Sequence, residues 1–512
     1  MRPIDMRDNA VMPNRALPLL LALSCFAAAR PALTPPPRHI EWTGGALPLP
    51  AAVQAESPEE KQAARLLAAE ATRLHRVDLG GAVAGRPAIV LALADSARGR
   101  EILARSPQAR LFRESAGDET YLLETTARGA AIVARRPRGL LFGVQTLLQT
   151  FGRGASGKLE APGVRIVDYP QLGFRGVHIC IFPNTELASV RQAMLTAARF
   201  KYNAVVLEPW ASFRSPKHPE TAYESTYTAE QLKPLIDLGR ALGLETIPML
   251  NSWGHASGMR SRAARHVVLD RFPAFRPLYE EDGWSFCLTN PSIYPHLFDR
   301  YAELIELFGN PRYFHIGLDE AWGHLGLMES NACRGADPRA TLAAHLAKLY
   351  RYFADRNVRL IVWHDMFIER NHPTLGRLSP ANSVPPLNTH LVLEKLPKDV
   401  VIDAWNYDQT AEWPVPKYFQ DRGYPVLVSP WKSRKNTVML LNAAKRIGAM
   451  GLLETTWDSL DVSLPTVGEA GVLAWTAPGF ALDQVPFEEL LRPIRALPIT
   501  NLPALETTLS GR

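Results

Sequence analysis

The sequence predicts an α/β protein: a (β/α)8 TIM barrel preceded by a smaller α/β sandwich domain. Three observations carry that prediction. From Gly173 to Arg492, apolar strand-like runs alternate with helical patterns through eight units. Acids and tryptophans gather where those runs end, which in a parallel barrel is the open face. Ahead of them, residues 38–168 mix strand and helix patterns without that alternation, as expected of a sheet layered with helices. A chain of 512 residues is also too long for one small core, so two folded domains are expected.

The amino terminus reads as a cleaved signal peptide over residues 1–34. Arg15 precedes an apolar run from Ala16 to Ala29 of secretory length, closed by small residues and by proline-rich sequence from Pro31 to Pro37. That implies export to a periplasm or beyond. Cys25 raises a lipoprotein alternative, but Ala22, Leu23 and Ser24 fit a lipobox poorly. A disordered arm is the plainer reading. No other stretch is long and apolar enough to span a bilayer. Net charge is +6, and the basic residues are interspersed with acids, so no nucleic-acid footprint is read. The four cysteines show no metal-type spacing, and no disulfide framework is expected.

In the first domain, Glu59–Leu74 has the pattern of an amphipathic helix and Pro87–Ala94 that of a strand. Tyr121–Thr126 and Ala130–Arg135 are further strand candidates. Gly139–Phe151 carries apolar residues at helical spacing, and Gly163–Pro170 reads as the connecting segment. No phosphate loop or His/Cys cluster appears here, so the domain's expected role is support.

In the second domain the strand candidates are Gly176–Phe182, Asn203–Glu208, Leu244–Leu250, Tyr313–Glu320, Val358–Asp365, Val400–Tyr407, Tyr424–Trp431 and Met450–Trp457. Helical patterns lie near 188–201, 229–242, 294–308, 341–356, 415–423 and 437–447. A doubly wound open sheet is the competing architecture, but no glycine-rich turn follows the first strand. Residues 493–512 form an unassigned tail.

The strand ends share a composition. Glu208 precedes Trp210, and Trp253 and His255 follow the third run. Asp319, Glu320 and Trp322 close the fourth, and Trp363 and Asp365 the fifth. Trp405 and Tyr407 end the sixth; Trp431 and Trp457 end the last two. Adjacent acids are costly inside a buried strand, but at its end they can face a cleft. A ring of indoles around acids suits a sugar, whose apolar face stacks on aromatic rings while its hydroxyls bond carboxylates. The plainer reading is that many of these indoles seal the barrel top, Asp319 caps the next segment and Glu320 is solvated.

His315–Glu320, HIGLDE, resembles the H-x-G-G-D-E signature of family 20 glycoside hydrolases, the β-N-acetylhexosaminidases. Three further stretches agree: Tyr121–Phe151, which resembles the end of the family's small domain; Ile166–Ile179, its lead-in to the barrel; and Ser252–Ala256, the stretch after the third strand. The barrel is most similar to the hexosaminidase D type, with Leu318 in place of the second glycine and Trp363-His364-Asp365-Met366 after the fifth strand.

The resemblance implies an exo-acting enzyme that removes terminal β-linked N-acetylglucosamine or N-acetylgalactosamine by substrate-assisted retaining catalysis. Its partner would be an N-acetylhexosamine-containing oligosaccharide or glycoconjugate; no metal or organic cofactor is implied. Glu320 would be the acid and then the base, and Asp319 would orient the acetamido N–H. Their mutual repulsion should raise one of the two carboxyl pKa values. Tyr407 would donate to the acetamido oxygen, and Trp363, Trp405 and Trp457 would wall the pocket. His255 and His315 would orient the acids or bond a hydroxyl. Arg175, Glu208 and Asp365 complete the implied substrate contacts; for Arg175 the structural alternative is an interdomain ion pair. Cys180 and Pro183 depart from the family's Asp and Arg. Two other readings stay open: a catalytically silent carbohydrate-binding barrel, and a two-carboxylate glycosidase pairing Glu320 with Glu208, Asp365 or Glu454.

Overall fold

The structure is a computed structural model that describes residues 30–80, 85–115, 117–222, 226–256, 272–280, 283–321, 335–385, 387–410 and 412–496. Most of the expected signal peptide, with Cys25, therefore lies outside the described residues, as do Trp322, Cys333 and the tail from residue 497.

The first domain is a mixed sheet of β1 (His39–Pro48), β2 (Ala52–Gln54), β3 (Ala88–Leu93), β4 (Tyr121–Thr126), β5 (Gly129–Ala134), β6 (Gly152–Arg153) and β7 (Leu159–Asp168). Its order is β1-β7-β4-β5-β3-β2, with β6 on β7. The segment read from sequence as a connector is thus the inner strand β7. Its alternation of Val164, Ile166 and Asp168 with Arg165 and Val167 is a strand pattern, and it pairs with both β1 and β4. The helices Pro58–His75 and Pro137–Thr150 lie on the sheet. The first opens with a capping box between Ser57 and Glu60. The second is buried on nearly every side because it is wedged between sheet and barrel: Phe142 meets Trp475 edge-on at 5.1 Å, and Arg138 Nε donates to the Gly243 carbonyl at 2.9 Å.

The second domain is a parallel barrel of β8 (Phe174–Cys180), β9 (Ala204–Glu208), β10 (Glu245–Pro248), β11 (Tyr313–His315), β12 (Arg359–Trp363), β13 (Val401–Trp405), β14 (Val426–Ser429) and β15 (Gly451–Glu454). Its order, β10-β9-β8-β15-β14-β13-β12-β11, closes where Met249 bridges His315 and Leu250 N donates to the His315 carbonyl at 3.1 Å. The two-residue period of the strands stacks the interior in layers. Phe174, Ala204, Ile247, Tyr313, Ile361, Val401 and Leu427 pack together in one cluster. Toward the carboxyl-terminal ends of five strands, buried positions of the same parity turn polar or aromatic: His178, Glu208, His315, Trp363 and Asp403.

Two expectations are corrected. The fourth barrel strand ends at His315, not Glu320, because Gly317, Leu318 and Glu320 all have positive φ. Cys287 is disulfide-bonded and the buried Cys180 is not, so the partner of Cys287 lies outside the described residues. No helix among the described residues is long and apolar enough to cross a membrane.

Candidate active site

Beyond β11 the chain makes a constrained turn that presents two acids. Gly317, Leu318 and Glu320 have φ of 65°, 89° and 46°. Such values cost a non-glycine residue about 1–3 kcal/mol and persist where the surroundings over-determine them. Here they do. A Cβ on Gly317 would lie 1.8 Å from Asn251 Oδ1, and one on Gly254 would lie 2.1 Å from the Asp319 carbonyl oxygen. Ser252 N donates to the Ile316 carbonyl at 2.9 Å. The segment after β10, Ser-Trp-Gly-His, therefore braces the acidic turn. Glu320 is held on both sides of its backbone: its N–H donates to Asp365 Oδ2 at 2.9 Å, and its carbonyl accepts from the Trp284 indole at 2.7 Å.

The two side chains sit in different surroundings. Asp319 is buried; its Oδ2 lies 3.2 Å from His255 Nε2, and its Oδ1 has no hydrogen-bond partner. Glu320 keeps 31% of its side chain exposed, with Oε2 3.5 Å from the same His255 nitrogen. Burial opposes a charge on His255, but Asp319 and then Glu320 overcome it and push the imidazole up to about 10. The carboxyl that is lifted in this cluster is Asp365, to about 7, first by burial and then by the charge of Asp319. Asp365 nonetheless accepts three hydrogen bonds, from Glu320 N, Asn382 Nδ2 at 2.7 Å and Trp405 Nε1 at 3.2 Å.

Aromatic rings form the walls. Tyr407 lies 5.0 Å from Trp405 and 5.2 Å from Trp431, and its hydroxyl accepts from Trp457 Nε1 at 2.6 Å. Thr455 also reaches the phenol, and burial holds that group well above its ordinary pKa. Trp363 lies beneath, 1% exposed, with its indole nitrogen unpartnered and its ring 4.4 Å from His315. Of the indoles read at strand ends, Trp405, Trp431 and Trp457 are half-buried, whereas Trp210, Trp253 and Trp363 are buried.

Four expected placements are corrected. Arg175 stands at the amino-terminal end of β8, at the opposite mouth of the barrel; it is fully buried and bonds Glu119 of the first domain at 2.6 Å. It is a domain joint, not a sugar contact. Glu208 is 2% exposed, and both oxygens are taken, by His178 Nε2 at 2.9 Å and Asn251 Nδ2 at 2.7 Å. His315 is fully buried inside the barrel: its Nδ1 accepts from Gly317 N at 3.0 Å, its Nε2 lies 3.5 Å from Asp403 Oδ2, and burial lowers its pKa to about 3. Glu454 has the opposite strand parity to the interior residue Leu453 and is fully buried, with neither carboxylate oxygen hydrogen-bonded among the described residues. Trp284, Asn382 and Asn251 were not read from sequence. They come from irregular segments or sit beside a more conspicuous residue, and only the folded backbone brings them to the acids.

Comparison with known proteins agrees with this architecture. The family description "Glycosyl hydrolase family 20, domain 2" matches residues 30–169, and "Glycosyl hydrolase family 20, catalytic domain" matches residues 200–434. The chain is 23% identical over 334 residues to a lacto-N-biosidase of Bifidobacterium bifidum, covering 61% of this chain and 27% of that protein. It is 26% identical over 231 residues to a β-hexosaminidase of Porphyromonas gingivalis, covering 40% and 29%. It thus spans less than a third of the length of these two relatives. Its fold superposes with a TM-score of 0.66 on the exo-β-N-acetylglucosaminidase of Vibrio harveyi, at 17% identity over 93% of this chain and 78% of that one. With both of the family's domains matched in order, and the acidic turn lying within the second match, the chain belongs to glycosyl hydrolase family 20.

Proposed function

We propose that this protein is an exo-acting β-N-acetylhexosaminidase that cleaves a terminal β-linked N-acetylhexosamine by substrate-assisted retaining catalysis. The observation that carries the reading is Asp319 Oδ1: a buried carboxylate oxygen without a partner, beside a second acid that reaches solvent. An acetamido N–H is the donor that such an oxygen would accept. The acetamido oxygen attacks C1, Glu320 gives its proton to the departing glycosidic oxygen, and a cyclic oxazolinium forms. Glu320 then takes a proton from water as that water attacks C1, restoring the acetamide and the original anomeric configuration. Tyr407 donates to the acetamido oxygen, and Trp363, Trp405 and Trp457 enclose the methyl group and the ring.

The two-carboxylate alternative is disfavoured by the same geometry. Glu208 and Asp365 are tied by hydrogen bonds on both oxygens, and Glu454 points out of the barrel. A chromogenic N-acetylglucosaminide assayed beside the plain glucoside separates the readings. The expected result is turnover of the first alone, inhibition by a thiazoline mimic of the cyclic intermediate, and a loss of about 10²–10⁴-fold in Glu320→Gln. Turnover of the glucoside would reject the acetamide-assisted mechanism, and turnover of neither would favour a silent binder.

Residues 1–34 are proposed to direct export. The disulfide at Cys287 supports this, since such bonds persist in oxidising compartments. The amino-terminal sequence of the protein recovered from a periplasmic or extracellular fraction checks it.

A further inference from the structure

A second group of ligand atoms lies outside the barrel mouth. His218 immediately precedes the short turn Pro219–Thr221 in the segment after β9, Glu220 lies within it, and His296 stands in the first turn of the helix Ile293–Leu307. A ring nitrogen from each histidine and a Glu220 carboxylate oxygen all lie within 4.8 Å of one another. The two rings are 4.5 Å apart at 60°. His218 also faces carboxylates on both sides, Nδ1 at 3.2 Å from Glu220 Oε1 and Nε2 at 3.2 Å from Asp299 Oδ2. Asp299 follows His296 by three residues, so both project from one side of the helix.

His296 is the residue that calls for a ligand. It is 3% exposed, and neither ring nitrogen has a hydrogen-bond partner. Phenylalanines flank it, with ring centroids 6.3 Å (Phe275) and 6.1 Å (Phe286) away. A neutral imidazole carries one N–H and one lone pair, and burying both unsatisfied is unfavourable. The surroundings also suit a cation: Glu220, Asp299 and Glu303 outnumber Lys217 and Arg300. Lys217 is already engaged by Asp299 at 2.7 Å.

We infer that His218, Glu220 and His296 hold a divalent transition-metal ion, zinc on the chemistry of the donor set, with Asp299 or water as the fourth ligand. Two imidazoles and one or two carboxylates match zinc's borderline preference and its tetrahedral demand. The ion staples the segment after β9 to the helix Ile293–Leu307. Glu303 already clamps that segment, accepting from Ser215 Oγ at 2.5 Å and from Lys217 N at 2.9 Å. The same segment begins with Trp210, whose indole donates to the His255 carbonyl at 3.1 Å. Thr221 and Arg300, neighbours of the cluster in sequence, line the same small cavity as Asn251 and His255. The ion is therefore structural. The sequence hides it, because the ligands come from two different strand–helix units.

The full-length protein, stripped with a chelator and dialysed against zinc chloride, tests this by elemental analysis and thermal melting. The expected result is one saturable zinc per chain, an upward shift in melting temperature, and more than about tenfold weaker binding in both His218→Asn and His296→Gln. No saturable binding by the wild type would overturn the assignment. So would wild-type binding by either variant; that would place the ion elsewhere, as at His255, Asp319 and Glu320. His218 is partly exposed, so its variant carries the test alone if the His296 variant does not fold.

Discussion

Asp319 gathers three charges around one carboxylate: the imidazolium of His255, the neighbouring Glu320 and the buried Asp365. Two of them carry shifts whose signs can be followed with pH. His255 has a folded pKa of about 10 against an ordinary 6.5. Its stabilising pair with Asp319 is complete below about 6.5 and is lost as pH rises toward about 10. Asp365 is lifted from 3.8 to about 7, so its ionisation disfavours the fold increasingly from about pH 4 to 7. Asp319→Asn removes the leading attraction on His255 and the leading repulsion on Asp365. The stability advantage of the wild type over that variant should therefore shrink steadily from pH 6 to pH 10, measured by melting in matched buffers. An advantage that grew with pH would mean that His255 is not charged at neutrality. Under the proposed mechanism the same variant should lose about 10²-fold or more in kcat, since its amide nitrogen or oxygen replaces a charged acceptor aimed at the developing oxazolinium.

At the scale of the element, the acidic turn works because two backbones pass closer than a side chain allows. Gly317→Ala would set a methyl group against Asn251 in a conformation that L-residues avoid. The expected result is loss of nearly all turnover with modest loss of melting temperature, because the turn is displaced while the barrel strands keep their pairing. Unchanged turnover would show that the turn is not the presenting device. The contrast with Leu318 explains what was legible. Strand β11 and the acids after it were readable as an apolar run ending in charge. The left-handed backbone at Leu318 was not, because leucine gives no signal for it; only the resemblance to a glycine-bearing motif hinted at the requirement. Eight barrel strands could be read because each is buried on both faces and therefore almost continuously apolar. Strand β7 was misread because one arginine and a following proline made it look like a linker. His178, Asp403, Asn251 and Asn382 escaped notice for a different reason: their roles depend on closure of the barrel, a non-local property that no short window contains.

At the scale of the molecule, the two ends of the barrel divide the work. The carboxyl-terminal mouth carries the acids, and the amino-terminal mouth is locked to the first domain by buried charges. Arg175 gives its guanidinium to Glu119 and to the carbonyls of Leu172 and Lys201, at 2.6, 2.7 and 2.8 Å. Lys201 donates to Asp168 and to the Tyr121 hydroxyl, both at 2.9 Å, and Trp475 donates to the same Asp168 at 3.1 Å. Removing one partner of a buried pair costs about 3–5 kcal/mol, because the other charge stays buried and unpaired. Arg175→Met is therefore expected to lower the stability by roughly that amount while leaving KM for a chromogenic N-acetylhexosaminide unchanged in the protein that remains folded. A sugar contact would behave in the opposite way, raising KM with little change in melting temperature. Since Glu119 keeps a small exposed fraction, the destabilisation should fall toward the lower end of that range. Lys201→Met, which removes the cation paired with the fully buried Asp168, should reach the upper end. If the order of these two variants were reversed, the main lock between the domains would lie at the guanidinium and not at the lysine.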